Sequence, residues 1–280
     1  MDSDVIVQLH DVEFAYPRRE SLFRSLSLAV HRGDRLGLVG ANGSGKTTLF
    51  HLMVGLLKMQ RGRLEVLGRT ITTEGDYRFA RTKLGLLFQD SDDQLFCPTV
   101  AEDVAFGPLN LGLPADVVRR RVRETLESLS LAGYENRVSY KLSGGEKRLV
   151  ALATILVMQP EVLLLDEPAN GLDPQARRDL IALMARIPCT QVIASHDLEF
   201  VRATCARVVV MHQGRMLADG PTDAILSDAD LMFAHGLEVP YSIEVERGQH
   251  VEHHHRHGVG PSHGHGHLAD HDATEHRQAI

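Results

Sequence analysis

The chain contains no tryptophan, and aromatic residues make up only 5% of its 280 positions. A site built mainly on stacked aromatic rings is therefore excluded, although one stacking ring remains compatible with the composition. Its three cysteines, Cys97, Cys189 and Cys205, are odd in number and form no C-x-x-C pair. That rules against a disulfide framework or a structural zinc site and fits a reducing, cytoplasmic compartment. Long apolar runs are also missing. No stretch approaches the ~20 apolar residues of a membrane-crossing helix, and the most apolar long segment, Leu149 to Val157, is far shorter and reads as part of an amphipathic pattern. The opening MDSDVIVQLHD is acidic and has no apolar core, so it does not read as a secretory signal. A role at a membrane would need another chain to supply the membrane part. Finally, there is no cationic excess: 30 Lys and Arg against 37 Asp and Glu give a net charge of −7, which argues against nucleic acid as a partner.

What is present reads as one large α/β domain followed by a different kind of tail. Val5, Val7 and Leu9, then Val12, Phe14 and Tyr16, then Leu26, Leu28 and Val30 alternate with other residues as strands do. Arg35 to Val39 reads as a buried strand, Thr48 to Met59 as a helix, and Val66 and Leu86 to Phe88 as further strands. Val117, Val118, Val122, Leu126 and Leu129 recur at helical spacing, and a second helix is expected from about Ser143. The all-aliphatic run Val162 to Leu165 predicts a strand buried on both faces. Gln191 to Ala194 and Val208 to Met211 read as strands, with Gln213-Gly214 as a hairpin turn. After about residue 248 the composition changes: ten of the sixteen histidines lie between His250 and His276. Residues 248–280 have almost nothing to bury and read as a tail that is disordered without a ligand.

Three motifs carry chemistry. Residues 40–47, GANGSGKT, match G-x-x-x-x-G-K-T/S between a predicted strand and a predicted helix. In such a loop, glycines let successive N–H groups turn toward phosphate oxygens, and the helix start adds its positive end. Asn42, Gly43, Ser44, Gly45, Lys46, Thr47 and Thr48 are the candidate phosphate ligands. Lys46 is placed to reach the β- and γ-phosphates, and the Thr47 hydroxyl to ligate Mg²⁺. In the second motif, Asp166 and Glu167 end the strand begun at Val162, where α/β sheets place ligands. Asp166 suits the Mg²⁺ shell, and Glu167 suits a general base that polarises water. The third motif, LSGGE at residues 142–146, is a helix start. Ser143 and Glu146 fit a capping box, and Gly144 and Gly145 leave backbone N–H groups open to an anion. Alone it is no more than a capped helix.

In this order, P-loop, LSGGE and LLLDEP resemble the ABC ATPase family over Val5 to about Pro221. The resemblance implies a P-loop core with an N-terminal antiparallel β lobe, a helical insertion at about residues 90–158, and a nucleotide-binding domain spanning residues 1–247. It also implies further roles: Tyr16 stacking on adenine, Gln89 touching Mg²⁺ and the attacking water, Asp173 in the D-loop, and His196 near the γ-phosphate. ATP would be sandwiched head to tail between two copies, each offering Ser143, Gly144 and Gly145 to the other's γ-phosphate. Ala169 departs from the Thr or Ser of many relatives, which bears on the D-loop and not on hydrolysis.

The stretches GLLFQDSDDQLF (residues 85–96) and TVAEDVAFGP (residues 99–108) narrow the resemblance to energy-coupling-factor importers, especially those for cobalt or nickel. In that group the region from Gln89 to Phe106 would receive a transmembrane coupling subunit, with a metal-binding membrane subunit alongside, at the cytoplasmic face of the membrane. The tail residues His253, His254, His255, His257, His263, His265 and His267 offer imidazoles suited to Ni²⁺ or Co²⁺ but unable to choose between them. A vitamin importer of the same type with a paired, non-identical ATPase, and a soluble non-transport ABC ATPase, remain as alternatives. The second alternative lacks the expected double cassette or long coiled coil.

Overall fold

The computed structural model describes residues 4–248. The histidine-rich segment, from His250 onward, lies outside them, and so do its seven candidate metal ligands.

Two sheets share the chain. The first is antiparallel, ordered β2-β1-β4-β5, from β1 (Val5–Ala15), β2 (Ser21–His31), β4 (Arg61–Val66) and β5 (Arg69–Ile71). The second has six strands in the order β10-β9-β3-β8-β7-β6. Its strands are β3 (Arg35–Val39), β6 (Leu84–Leu87), β7 (Val162–Asp166), β8 (Thr190–Ser195), β9 (Arg207–His212) and β10 (Arg215–Pro221). All neighbours in it are parallel except β9 and β10, which form the hairpin expected at Gln213-Gly214. Both turn residues have positive φ, 45° and 73°, the backbone that a two-residue hairpin of matching twist demands.

The parallel strands are covered on both faces, so their side chains alternate between two cores. In β7, Val162 and Leu164 enter a core shared with Leu9, Phe23 and Val30 of the antiparallel sheet. Leu163 and Leu165 enter the other, shared with helices on the far side. These helices are α3 (Val100–Asn110), α4 (Ala115–Ser128), α5 (Gly144–Leu156), α6 (Pro174–Arg186) and α7 (Leu198–Thr204), followed by the short α8 (Thr222–Leu226), α9 (Ala229–Ala234) and α10 (Tyr241–Glu246). Helix α1 (Lys46–Met53) sits in the first core, beside α2 (Glu74–Lys83).

Three expectations need correction. The helix read over Thr48 to Met59 stops at Met53, because Gly55 turns into the left-handed region at φ 74°. Leu149 to Val157 is not a one-sided stripe: Val150 through Ala153, Ile155 and Val157 are all buried, since α5 lies between the sheet and two other helices. Residues 100–110 form a helix that the hydrophobic spacing did not disclose. It is started by the Thr99–Glu102 capping box, in which Glu102 N–H donates to Thr99 Oγ1 at 3.3 Å and Thr99 N–H to Glu102 Oε2 at 3.0 Å.

Leu164 is fully buried at the centre of this arrangement. Leu164→Ala should lower the unfolding free energy by about 2–5 kcal/mol, read as a lower denaturant midpoint at unchanged slope.

Candidate nucleotide-binding site

The loop between β3 and α1 is shaped by its glycines. Gly43 and Gly45 adopt φ 81° and 109°, and a Cβ at Gly45 would lie 2.7 Å from the Phe23 ring. A Cβ at Gly40 would meet the Met211 carbonyl oxygen at 2.2 Å. Only glycine fits either position. The β9–β10 turn closes on the loop, with Gly214 N–H donating to Ser44 O at 3.0 Å. Lys46 is buried and folds back, donating from Nζ to Gly40 O at 2.6 Å and Ala41 O at 3.4 Å. Burial pulls its ammonium below the usual lysine range, opposed by the carboxylates of Glu167 and Asp166. Tyr16 reaches the loop from the end of β1, and its hydroxyl shares a 2.9 Å hydrogen bond with Thr48.

The two carboxylates at the end of β7 have different environments. Asp166 is buried and its Oδ1 has no hydrogen-bond partner. Burial pushes its carboxyl above the usual range, opposed by a hydrogen bond from Thr47. A buried, unpartnered carboxylate oxygen next to a threonine hydroxyl is a donor set suited to a hard divalent cation such as Mg²⁺. Glu167, by contrast, is held from several sides. Ser195 Oγ donates to its Oε2 at 3.0 Å, His196 N–H to its Oε1 at 3.1 Å, and His196 Nδ1 lies 2.9 Å from Oε2. Its backbone is left-handed at φ 45°, an unfavourable conformation for a side chain of this size. Nothing in the sequence pattern signalled that strain.

Gln89 follows β6 in a loop tied down by a residue that sequence reasoning missed. Arg148, buried in α5, donates from Nη1 to Phe88 O at 2.8 Å and from Nη2 to Gln89 O at 2.7 Å. An arginine two positions after LSGGE was the available signal.

Tyr16, Asn42, Gly43, Gly45, Lys46, Thr47, Thr48, Gln89, Glu167 and His196 line one open cleft of about 1070 Å³. Asp166 opens with Thr47 and Gln89 onto an adjoining cavity of about 440 Å³. Ser44 is buried behind the loop, and its Oγ is unpartnered. Ser143, Gly144, Gly145 and Asp173 do not line this cleft. Ser143 caps α5 within a complete capping box. A Cβ at Gly144 would meet nothing within 4 Å. Asp173 caps α6, accepting from Gln175 N–H and Ala176 N–H at 2.8 and 2.9 Å. The sequence-derived site therefore falls into two groups: a phosphate cleft and an exposed helix start elsewhere on the same chain.

The profile of the ABC transporter family matches residues 23–170. The chain belongs to this family. It is accordingly an ATP-hydrolysing enzyme with the ABC ATPase fold. A putative ABC transporter ATP-binding protein of Gloeobacter violaceus is 48% identical over 241 residues, covering 85% of this chain and 97% of that protein. The energy-coupling factor transporter ATP-binding protein EcfA of Methanothermobacter thermautotrophicus is 42% identical, covering 86% and 78%. Among solved structures, cbiO1 of Clostridium perfringens, part of the ABC transporter complex cbiONQ, superposes with a TM-score of 0.74 at 31% identity, covering 87% of this chain and 99% of that one.

The raised Asp166 value has a testable sign. The native state holds this proton more tightly than the unfolded chain does. The group therefore favours folding below the unfolded value of about 3.9 and loses that contribution as pH rises through its native value. Above the unfolded value, keeping this carboxyl in its buried, poorly paired place costs the protein stability. Asp166→Asn should raise the Tm of the nucleotide-free protein at neutral pH by about 2–4 °C, with the difference closing toward about pH 4. Calorimetry across pH checks this; a lower Tm at neutral pH would contradict it.

Proposed function

We propose that this ABC ATPase is the motor subunit of an energy-coupling-factor type importer that drives cobalt or nickel uptake through a separate membrane protein. It works as a head-to-tail homodimer at the cytoplasmic face of the membrane. The observation that carries the motor assignment is the division of the site into two groups on one chain: a cleft with base and lysine, and an open Gly144 face pointing elsewhere. Two copies facing each other complete two sites.

In the proposed mechanism, the loop amides and Lys46 receive the β- and γ-phosphates, while Tyr16 stacks on adenine. Thr47, Asp166 and Gln89 would hold Mg²⁺, which when bound supplies positive charge against the phosphate oxygens. Glu167, oriented by Ser195 and His196, accepts a proton from the attacking water at its carboxylate. Gln89 and His196 position that water and the γ-phosphate. Ser143, Gly144 and Gly145 of the second copy bring N–H groups to the developing equatorial charge. Asp173, beside the open face, belongs to the D-loop that meets the partner copy.

Support for a membrane partner comes from the surface around α3. Phe96 is 65% exposed and Phe106 46% exposed, and their rings meet edge to face at 4.9 Å. Phe106 lines a largely apolar groove of about 770 Å³ between α3 and α4, which Cys97, the residue after Phe96, also lines. Exposed aromatics beside an apolar groove suit an incoming amphipathic helix. Among the described residues no helix is long and apolar enough to cross a membrane, which agrees with a peripheral subunit. The metal substrate rests on the resemblance of residues 85–108 to cobalt and nickel importers and on the imidazoles after residue 248, read as a buffer near the exit of the pathway.

Two variants test the motor. Glu167→Gln should retain ATP binding and lose about 10²–10⁴-fold in turnover, accumulating as an ATP-bound dimer on size-exclusion chromatography. A monomer with wild-type turnover would reject the assignment. Gly144→Asp places a carboxylate where the partner's γ-phosphate must approach. Each monomer should still bind ATP while dimer closure fails, as nucleotide titration and chromatography together would report.

A further inference from the structure

Helix α3 carries a buried carboxylate that the hydrolytic mechanism does not use. Asp103 is 3% exposed. Its Oδ1 accepts from Phe96 N–H at 3.0 Å and Cys97 N–H at 2.8 Å, fixing the loop that presents the exposed Phe96 ring. Its Oδ2 accepts from Ser139 Oγ at 2.5 Å, in the segment that leads into the LSGGE helix. A buried charge satisfied from two separate segments resists displacement of either, since loss of any partner leaves desolvated charge. The α3 start is bonded to the same segment by its backbone, with Val100 N–H donating to Arg137 O and Ala101 N–H to Glu135 O, both at 3.0 Å.

The other end of that segment holds the cap of α5. Tyr134 Oη donates to Glu146 Oε1 at 2.7 Å, and Arg137 Nη1 reaches the same oxygen at 3.4 Å. Glu146 Oε2 in turn accepts from Ser143 N–H at 2.8 Å. Both oxygens of Glu146 are therefore committed, one to the segment from Tyr134 to Ser139 and one to Ser143. Polar contacts at its two ends, with the backbone of residues 134–139 between them, join the loop that bears Phe96 to the serine that starts the LSGGE helix.

We propose that Asp103 and Glu146 are positioning residues that make the segment from Tyr134 to Ser139 a rigid link between membrane-subunit docking and the placement of Ser143. A displacement of the Phe96 loop by the docked partner is passed to the start of α5 because the bonds at both ends are charge-assisted and the segment between them is tied to α3. Ser143 and the N–H groups behind it then reach, or fall short of, the other copy's γ-phosphate. The proposal rests on the docking surface and the head-to-tail dimer proposed above, and it adds how the one controls the other. A spatial path alone does not demonstrate coupling, so the test measures coupling directly.

Ser139→Ala removes the side-chain bond from the segment to Asp103, and Tyr134→Phe removes the shorter of its two bonds to Glu146; neither residue lines the nucleotide cleft. Each variant, and the double variant, is purified alone and also together with the membrane subunit that co-purifies with the wild type, reconstituted in lipid nanodiscs. Expected are ATPase rates of the isolated subunit within about twofold of wild type, unchanged recovery of the membrane subunit, and stimulation by that subunit reduced about tenfold. The double variant should be no worse than the singles, because both cut one path. Full stimulation in both single variants would overturn the proposal. So would equal losses in the isolated and reconstituted forms, which would mark a purely structural role. Phe106→Asp separates the premise: if it leaves recovery of the membrane subunit intact, the docking surface itself is wrong, and the link falls with it.

Discussion

The register between β7 and β8 is the constraint on which the site depends. Asp166 stands opposite Ala194, and the next amide, Glu167 N–H, donates to Ala194 O at 2.8 Å. That single bond carries the pairing one residue past the strand, at a backbone angle that costs energy. Its result is that Glu167 meets the Ser195 hydroxyl and the His196 amide, while Asp166 stays buried against Thr47. A slip of one residue would exchange the two carboxylates between faces. The four aliphatic residues before them, each fully buried, oppose that slip by fit and not by polarity, because each would have to pack into the opposite core, shaped around a different side chain.

The P-loop was legible because its chemistry is local: glycines, lysine and threonine act within one turn of chain. The same holds for the carboxylates after Val162–Leu165 and for the Ser143–Glu146 cap. Arg148 and Asp103 were not legible, because each acts on atoms far away in sequence, Arg148 on the Phe88 and Gln89 carbonyls and Asp103 on the Ser139 hydroxyl. Helix α3 escaped the pattern because its buried positions, Val100, Asp103, Val104 and Pro108, include a charge and a proline. The all-round burial of α5 escaped it as well, since one-sided spacing cannot reveal a helix enclosed by three neighbours.

Arg148 and the α5 cap lie on one helix. The helix that Ser143 and Gly144 start therefore also fixes the loop that bears Gln89, through the guanidinium a single turn further on. The cleft and the α5 start are separated in space yet joined by a helix whose buried face leaves little room for independent motion. In the head-to-tail pair proposed above, such joining would let an event at one nucleotide be felt at the other.

Lys46 adds a consequence for nucleotide recognition. Its ammonium donates to the carbonyl oxygens of Gly40 and Ala41, bonds that hold the curl of the loop from within. An arriving phosphate competes with those two carbonyls for the same cation. Under the phosphate-binding role proposed for Lys46, a ligand that brings no anion to this ammonium would offer nothing in exchange for those two bonds.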